Sequence, residues 1–205
     1  MRTAVIFCAG VYAEELPAIP GDALLIAADG GYNKMQAAGL VPDFMIGDMD
    51  SLTGALPEGA PVRILPREKD VTDTDAAVEF ALKNGAGAVW LLGAGGGRED
   101  HTLANLSLLA RLSKKKIPCL LFGPDYTAAA VTDGELDLPA RESGTVSVLA
   151  WSDVCRDVTI SGLKYTLQNG SLTNTFALAV SNEFIGQTAH VRVGSGTLLV
   201  MWENA

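Results

Sequence analysis

Asp48 and Asp50 stand two residues apart in Gly47-Asp48-Met49-Asp50-Ser51, directly after the apolar run Asp43 to Ile46. In an extended chain alternate side chains point the same way, so the two carboxylates share one side. Held together they repel, and a hard cation relieves the repulsion; Mg²⁺ takes one or two protein carboxylates and leaves its other positions to water and phosphate oxygens. Asp70-Val71-Thr72-Asp73-Thr74-Asp75 repeats this acidic spacing ahead of a helical stretch, where a helix N-cap is the competing reading. Asp73 joins Asp48 and Asp50 as a candidate metal ligand, and the role of Asp75 stays open. Gly93-Ala94-Gly95-Gly96-Gly97-Arg98 offers backbone N–H groups before a helix, a cradle for phosphate to which Arg98 adds a two-pronged grip. It lacks the Gly-Lys-Ser/Thr ending of a P-loop, and Arg98 stands where the last Gly of Gly-x-Gly-x-x-Gly belongs. Asp100 and His101 follow, either as a first-turn charge and a packed ring or as groups facing the phosphate. Asp29, in Ala28-Asp29-Gly30-Gly31, reads as a turn residue or a rim ligand.

These segments need elements to hold them. Short apolar runs at Ala4 to Cys8, Ala23 to Ala28, Asp43 to Ile46, Val62 to Leu65, Ala88 to Leu92 and Ile117 to Phe122 lack polar alternation, as parallel strands covered on both faces do. Helical spacing lies between them at Tyr32 to Ala38, Asp75 to Asn84 and Asp100 to Ser113, with Gly39 and Gly85 as stops. The expectation is an α/β arrangement, an N-terminal Rossmann-like parallel sheet flanked by helices. Three candidate segments directly follow strands, so they share the crevice beyond the strands' carboxyl ends, where open α/β sheets bind ligands.

After about Asp125 the helical spacing stops. Thr145 to Ala150, Asp157 to Ile160, Phe176 to Val180, Ala189 to Val193 and Thr197 to Trp202 are β-rich and separated by Gly, Asn or Ser turns, which points to a C-terminal all-β sandwich. The expected domains are therefore 1–125 and 126–205. Here Gly162-Leu163-Lys164-Tyr165 and Ser181-Asn182-Glu183-Phe184 place polar groups beside an aromatic ring, as hairpin ends do and as a site for a flat cationic ring would.

Composition narrows the classes. At 205 residues with net charge −9, the chain repels a phosphate backbone, and Lys114-Lys115-Lys116 reads as the solvated end of a helix, so nucleic acid is not an expected partner. Cys8, Cys119 and Cys155 are far apart in apolar runs, which suits buried thiols in a reducing cytoplasm. With two histidines and no Cys-x-x-Cys, structural zinc is not expected. No secretion signal and no membrane-length apolar run is visible.

Taken in order, Phe7-Cys8-Ala9-Gly10, Ala28 to Gly31, Gly47 to Ser51, Lys69 to Asp73, Gly96 to His101, Gly162 to Tyr165 and Ser181 to Phe184 resemble the motifs of bacterial thiamine pyrophosphokinase over nearly the whole chain. The resemblance implies an ATP- and Mg²⁺-binding catalytic α/β domain, a thiamine-binding β-sandwich, and a homodimer with active sites between subunits. It implies that Asp48, Asp50 and Asp73 hold Mg²⁺; that Asp29, Ser51, Gly96, Gly97, Arg98, Asp100 and His101 serve the nucleotide; and that Ser181, Asn182 and Phe184 receive thiamine. Asp50, Asp73 and Arg98 are then the catalytic candidates, with Asp50 or Asp73 accepting the hydroxyl proton. The implied reaction moves pyrophosphate from ATP to the thiamine hydroxyl and releases AMP.

Two other readings fit parts of the pattern. A strand followed by Asp-x-Asp also presents the nucleophile of an aspartyl-phosphate phosphatase, but there it normally follows the first strand, and the β-rich half goes unexplained. A non-catalytic thiamine or nucleotide sensor would rarely surround an anion with carboxylates unless a metal were present.

Overall fold

The computed structural model describes residues 2–47, 61–64 and 70–204. The chain is a mixed α/β fold with twelve strands and three helices among the described residues. It divides into two compact units, Met1–Leu108 with Ile117–Pro124, and Leu109–Lys116 with Asp125–Ala205. Among the described residues no helix is long and apolar enough to cross a membrane.

The first unit is built on parallel strands β1 (Thr3–Phe7), β2 (Leu24–Ala28), β3 (Phe44–Gly47), β4 (Val62–Ile64), β5 (Ala88–Leu92) and β6 (Cys119–Phe122). Their order is β6-β5-β1-β2-β3-β4, with every pair parallel. Ala4, Val5, Ile6 and Phe7 are each 0% exposed, so both faces of β1 are covered and the unbroken apolar run has its cause. Each large buried side chain contributes about 1.5–3 kcal/mol. Of the strand expected at Val62 to Leu65, the described residues Val62–Ile64 pair with β3, with Ile64 70% exposed.

The order carries a functional consequence. β1 to β4 progress toward one edge while β5 and β6 progress toward the other, so the sequence order reverses between β1 and β5. At such a switch point the loops leaving neighbouring strands diverge, and a crevice opens beyond their carboxyl ends.

Helix α1 (Gly31–Ala37) packs against β1 and β2, and α2 (Asp73–Lys83) lies over β1, β2 and β3. Both end in the paired hydrogen bonds of a Schellman stop, at Gly39 and Gly85. The α2 start differs from the expected Asp75: Thr72 is the N-cap, its Oγ1 accepting from the Asp75 N–H at 3.1 Å, which puts Asp73 at the first helical position. Thr72→Ala should therefore cost about 1 kcal/mol of stability in urea denaturation, the usual loss for a cap. Helix α3 (Glu99–Lys114) buries Asn105, Leu106, Leu108, Leu109, Ala110 and Leu112, while Leu103 is 58% exposed.

The second unit is antiparallel: β7 (Tyr126–Leu138), β8 (Thr145–Ala150), β9 (Val154–Ser161), β10 (Leu167–Thr173), β11 (Ala179–Glu183) and β12 (Ala189–Glu203). β12 pairs with β7 along its length, while its first half takes β9 and its second half takes β8 on the other side. β10 then adds to β9 and β11 to β8, around one core that includes Val146, Val158, Ile160, Val191 and Val200. Three expectations change here. The stretches 189–193 and 197–202 are one strand, because the irregularity between Val193 and Thr197 kinks it without ending it. The strand expected at Phe176 to Val180 begins at Ala179, since the Phe176 N–H donates to Thr173 O in a turn that leaves Phe176 and Leu178 exposed. β7 and β10 were not expected; each carries a turn-forming pair, Asp133-Gly134 and Asn169-Gly170, inside a paired strand.

Candidate functional site

The crevice predicted by the strand order is present in the first unit as an open cleft of about 720 Å³. Its floor is the meeting of two loops. The Cys8 N–H donates to Leu92 O at 2.8 Å, Gly10 N–H to Gly93 O at 2.9 Å and Val11 N–H to Gly95 O at 3.1 Å, tying the loop after β1 to the glycine-rich loop after β5. Gly96 and Gly97 both take positive φ (74° and 72°), a conformation that L side chains rarely adopt and that leaves their backbone open to a close ligand.

Of the expected residues, Asp29, Asp73, Gly96, Gly97, Arg98 and His101 line this one cleft. They come from the end of β2, the start of α2, the loop after β5 and the start of α3. Asp48, Asp50 and Ser51 lie outside the described residues. Asp75 is not among the lining residues; its N–H serves the cap. Asp100 also lies off the lining, but it grips the residue that is on it: Arg98 Nη2 donates to Asp100 Oδ2 at 2.7 Å and Nε to Oδ1 at 3.2 Å. The pairing holds the Asp100 carboxyl below its usual pKa and raises that of the guanidinium. Asp100 thus orients Arg98 at the rim.

Asp29 is the unusual acid. It takes φ +48° and is 9% exposed, and its Oδ1 is buried with no hydrogen-bond partner among the described residues. A carboxylate oxygen left in this state needs a donor or a cation, since burial without one is costly. With Asp73 in the same cleft, two carboxylates stand on its lining, and carboxylate oxygens suit a hard divalent cation. Among the described residues no three ligating side chains converge on one point.

Asn105 and Cys8 line the cleft although neither was a site candidate. Asn105 is buried on α3, and its Nδ2 donates to Ala94 O at 2.7 Å, holding the glycine-rich loop from beneath. The signal was available: residues 105, 108, 109 and 112 form a buried helical stripe in which Asn105 is the polar member. Cys8 also faces the cleft, but it accepts from Thr74 Oγ1 at 3.6 Å and burial pushes its thiol pKa up to about 12, so it stays protonated and packs.

In the second unit, the two segments singled out separately are neighbours. Lys164 N–H donates to Glu183 O at 3.0 Å, Lys164 Nζ pairs with Glu183 Oε1 at 2.8 Å, and Leu163 bridges to Phe184. Asn182 is the tie: its Oδ1 accepts from the Tyr165 N–H at 2.9 Å, and its Nδ2 donates to Tyr165 O at 2.7 Å. Asn182 is 3% exposed and Phe184 is 3% exposed within the core, so both are held inside this chain. Ser181 is exposed, at φ +59°, and Tyr165 supplies the open aromatic face. A pocket of about 250 Å³ is lined by Tyr165 and Asn182 with apolar Ile160, Leu167, Leu178 and Val180.

Known families fit this architecture. Residues 18–121 match the catalytic domain of thiamin pyrophosphokinase, and residues 135–198 match the vitamin B1 binding domain of the same enzymes. The thiamine pyrophosphokinase of Bacillus subtilis is 30% identical over 184 residues, covering 87% of this chain and 86% of that protein. Its crystal structure superposes with TM-score 0.86 over 98% of this chain and 99% of that one, at 28% identity. Thiamin pyrophosphokinase 1 of Caenorhabditis elegans is 28% identical over 188 residues, 85% of this chain and 76% of that protein. With both family domains matched in order, and a relative aligned over most of its length, this chain belongs to the thiamin pyrophosphokinase family.

Proposed function

We propose that the chain transfers a pyrophosphoryl group from ATP to the hydroxyl of thiamine, giving thiamine diphosphate and AMP. The observation that carries this reading is the convergence of Asp29, Asp73, Arg98, His101 and the glycine-rich loop on one cleft at the β1/β5 switch point. In this reading residues 1–125 form a Rossmann-like ATP- and Mg²⁺-binding catalytic domain, and residues 126–205 a thiamine-binding β-sandwich.

The chemistry asks little covalent help of the protein. The thiamine hydroxyl oxygen forms its bond to the β-phosphorus of ATP while the bond from that phosphorus to the oxygen bridging to the α-phosphate breaks, and AMP leaves with that oxygen. Arg98, set by Asp100, neutralises charge growing on the phosphates, and the backbone N–H groups of Gly96 and Gly97 hold them in line. Asp48, Asp50 and Asp73 would hold Mg²⁺, with Asp29 and Ser51 serving the nucleotide beside them; the ion supplies charge neutralisation at the phosphate oxygens. Asp50 or Asp73 takes the hydroxyl proton. His101 faces the same anionic ligand.

Ser181 receives thiamine at a surface that Asn182 and Phe184 hold in shape. Phe176, Leu178 and Val180, at 67%, 57% and 41% exposure, add an apolar stripe beside it, which supports a homodimer with shared sites. Mixing an Asp73→Asn chain with a Ser181→Trp chain should then restore part of the activity that each lacks; no restoration would mean that each chain is complete alone. A cytoplasmic location belongs to the same reading, and the three buried free thiols, Cys8, Cys119 and Cys155, support it.

Chromatography of the nucleotide product tests the reaction. AMP formed only with thiamine and a divalent cation present, lost with EDTA and regained with Mg²⁺, is the expected result; ADP as the product would overturn it.

A further inference from the structure

We propose that Tyr12 is a positioning residue for the nucleotide, locking the loop after β1 against the glycine-rich loop after β5 and so setting the width of the phosphate end of the cleft. The inference deepens the reading of this cleft as the ATP site and rests on it. Residues 8–11 and Gly93, Ala94, Gly96 and Gly97 line the cleft, and Tyr12 does not. It acts through them.

Two contacts make the lock. The Tyr12 hydroxyl donates to Cys8 O at 2.6 Å, which closes residues 8–12 into a ring at the carboxyl end of β1. The aromatic ring lies over Gly93: a Cβ at that position would stand 2.3 Å from both Cε2 and Cζ of Tyr12, so the ring occupies the space a side chain would need. The Gly10 and Val11 hydrogen bonds to Gly93 and Gly95 join the two loops at this point, while Asn105 holds the glycine-rich loop from beneath. Tyr12 backs those bonds without lining the cleft itself. It is itself held by Phe7, with ring centroids 6.2 Å apart, and by the Lys34 ammonium 5.3 Å from its centroid. Burial raises the phenol pKa, so the hydroxyl remains a donor at every pH at which the protein would work.

A residue that only filled space would change stability without changing ligand affinity. A positioning residue changes affinity for the group it positions. The test is calorimetric titration of ATP, with Mg²⁺, into the unaltered chain, Tyr12→Phe and Tyr12→Leu, with the thermal midpoint of each. Tyr12→Phe keeps the ring and loses the hydroxyl; ATP should bind about 5-fold more weakly, the effect of one hydrogen bond. Tyr12→Leu loses the ring as well and should bind about 30-fold more weakly. In turnover, KM for ATP should rise by the same factors while kcat at saturating ATP stays within about 2-fold.

Wild-type affinity in both variants, whatever their thermal midpoints, overturns the inference and leaves the assigned reaction untouched. Failure of the unaltered chain to bind ATP overturns the reading of the cleft and this inference with it. Because affinity is read directly, the result stands whether or not product forms.

Discussion

Asp73→Asn should lower turnover by about 100-fold or more, the usual scale for losing a ligand or a charge-stabilising group at a phosphoryl-transfer site. The expectation rests on where Asp73 sits. It occupies the first helical position of α2, after the Thr72 cap, and lines the same cleft as the glycine-rich loop. A negative charge in the first turn of a helix also stabilises it, by about 0.3–1 kcal/mol. That part of the loss is small, equivalent to roughly 1–4 °C in a chain of this size. The two contributions therefore separate: steady-state kinetics should collapse while the thermal midpoint barely moves. Near-normal turnover by Asp73→Asn would remove Asp73 from the site.

Gly31→Ala should do the reverse and break the fold first. A Cβ at Gly31 would lie 1.9 Å from Phe7 O and 2.4 Å from Phe7 C, both backbone atoms that a rotamer change cannot move. Gly31 opens α1 and Phe7 ends β1, so the methyl would push the helix off the strand that leads into the cleft. Overpacking of this kind costs about 3 kcal/mol or more, a fall in thermal midpoint of roughly 6–12 °C. The variant should accumulate poorly and melt early by circular dichroism. An unchanged midpoint would show that α1 can lift away from β1 at little cost, and would count against the close packing described here.

Much of the first unit was legible in the residues, for a physical reason. Parallel strands buried on both faces need unbroken apolar runs, and helices on such sheets need Gly or Asp punctuation, so both leave marks that local reading can find. Two of the three expected rim segments, at Asp29 and at the glycine-rich loop, do share the cleft, because segments that follow parallel strands emerge on one side of the sheet. The second unit was harder to read. A long antiparallel strand such as β12 changes partners halfway along, and the residues of its kink, Gly194-Ser195-Gly196, have the composition of a turn. In β10, Asn169-Gly170 carries a turn signal inside a paired strand, with Asn169 at φ +46° and a register shift beside it.

The same distinction applies to the candidate site. Residue type suggested which groups could meet phosphate, but not which would be consumed by their own chain. Asn182 resembled a ligand-binding amide, yet its carbonyl and amide both go to the Tyr165 backbone. Asp100 resembled a site acid, yet its carboxylate goes to Arg98. Those pairings depend on segments distant in sequence or on a side-chain rotamer, and no local pattern encodes them. The strand order was equally out of reach, although it is what places Asp29 and the glycine-rich loop on one crevice.

The assigned reaction is tested most directly by ³¹P NMR of the purified chain with ATP, Mg²⁺ and thiamine, because the spectrum reports which phosphorus bond breaks. Paired growth of the thiamine diphosphate and AMP signals is the result expected from attack at the β-phosphorus. ADP with thiamine monophosphate, or free phosphate with thiamine unchanged, would contradict it.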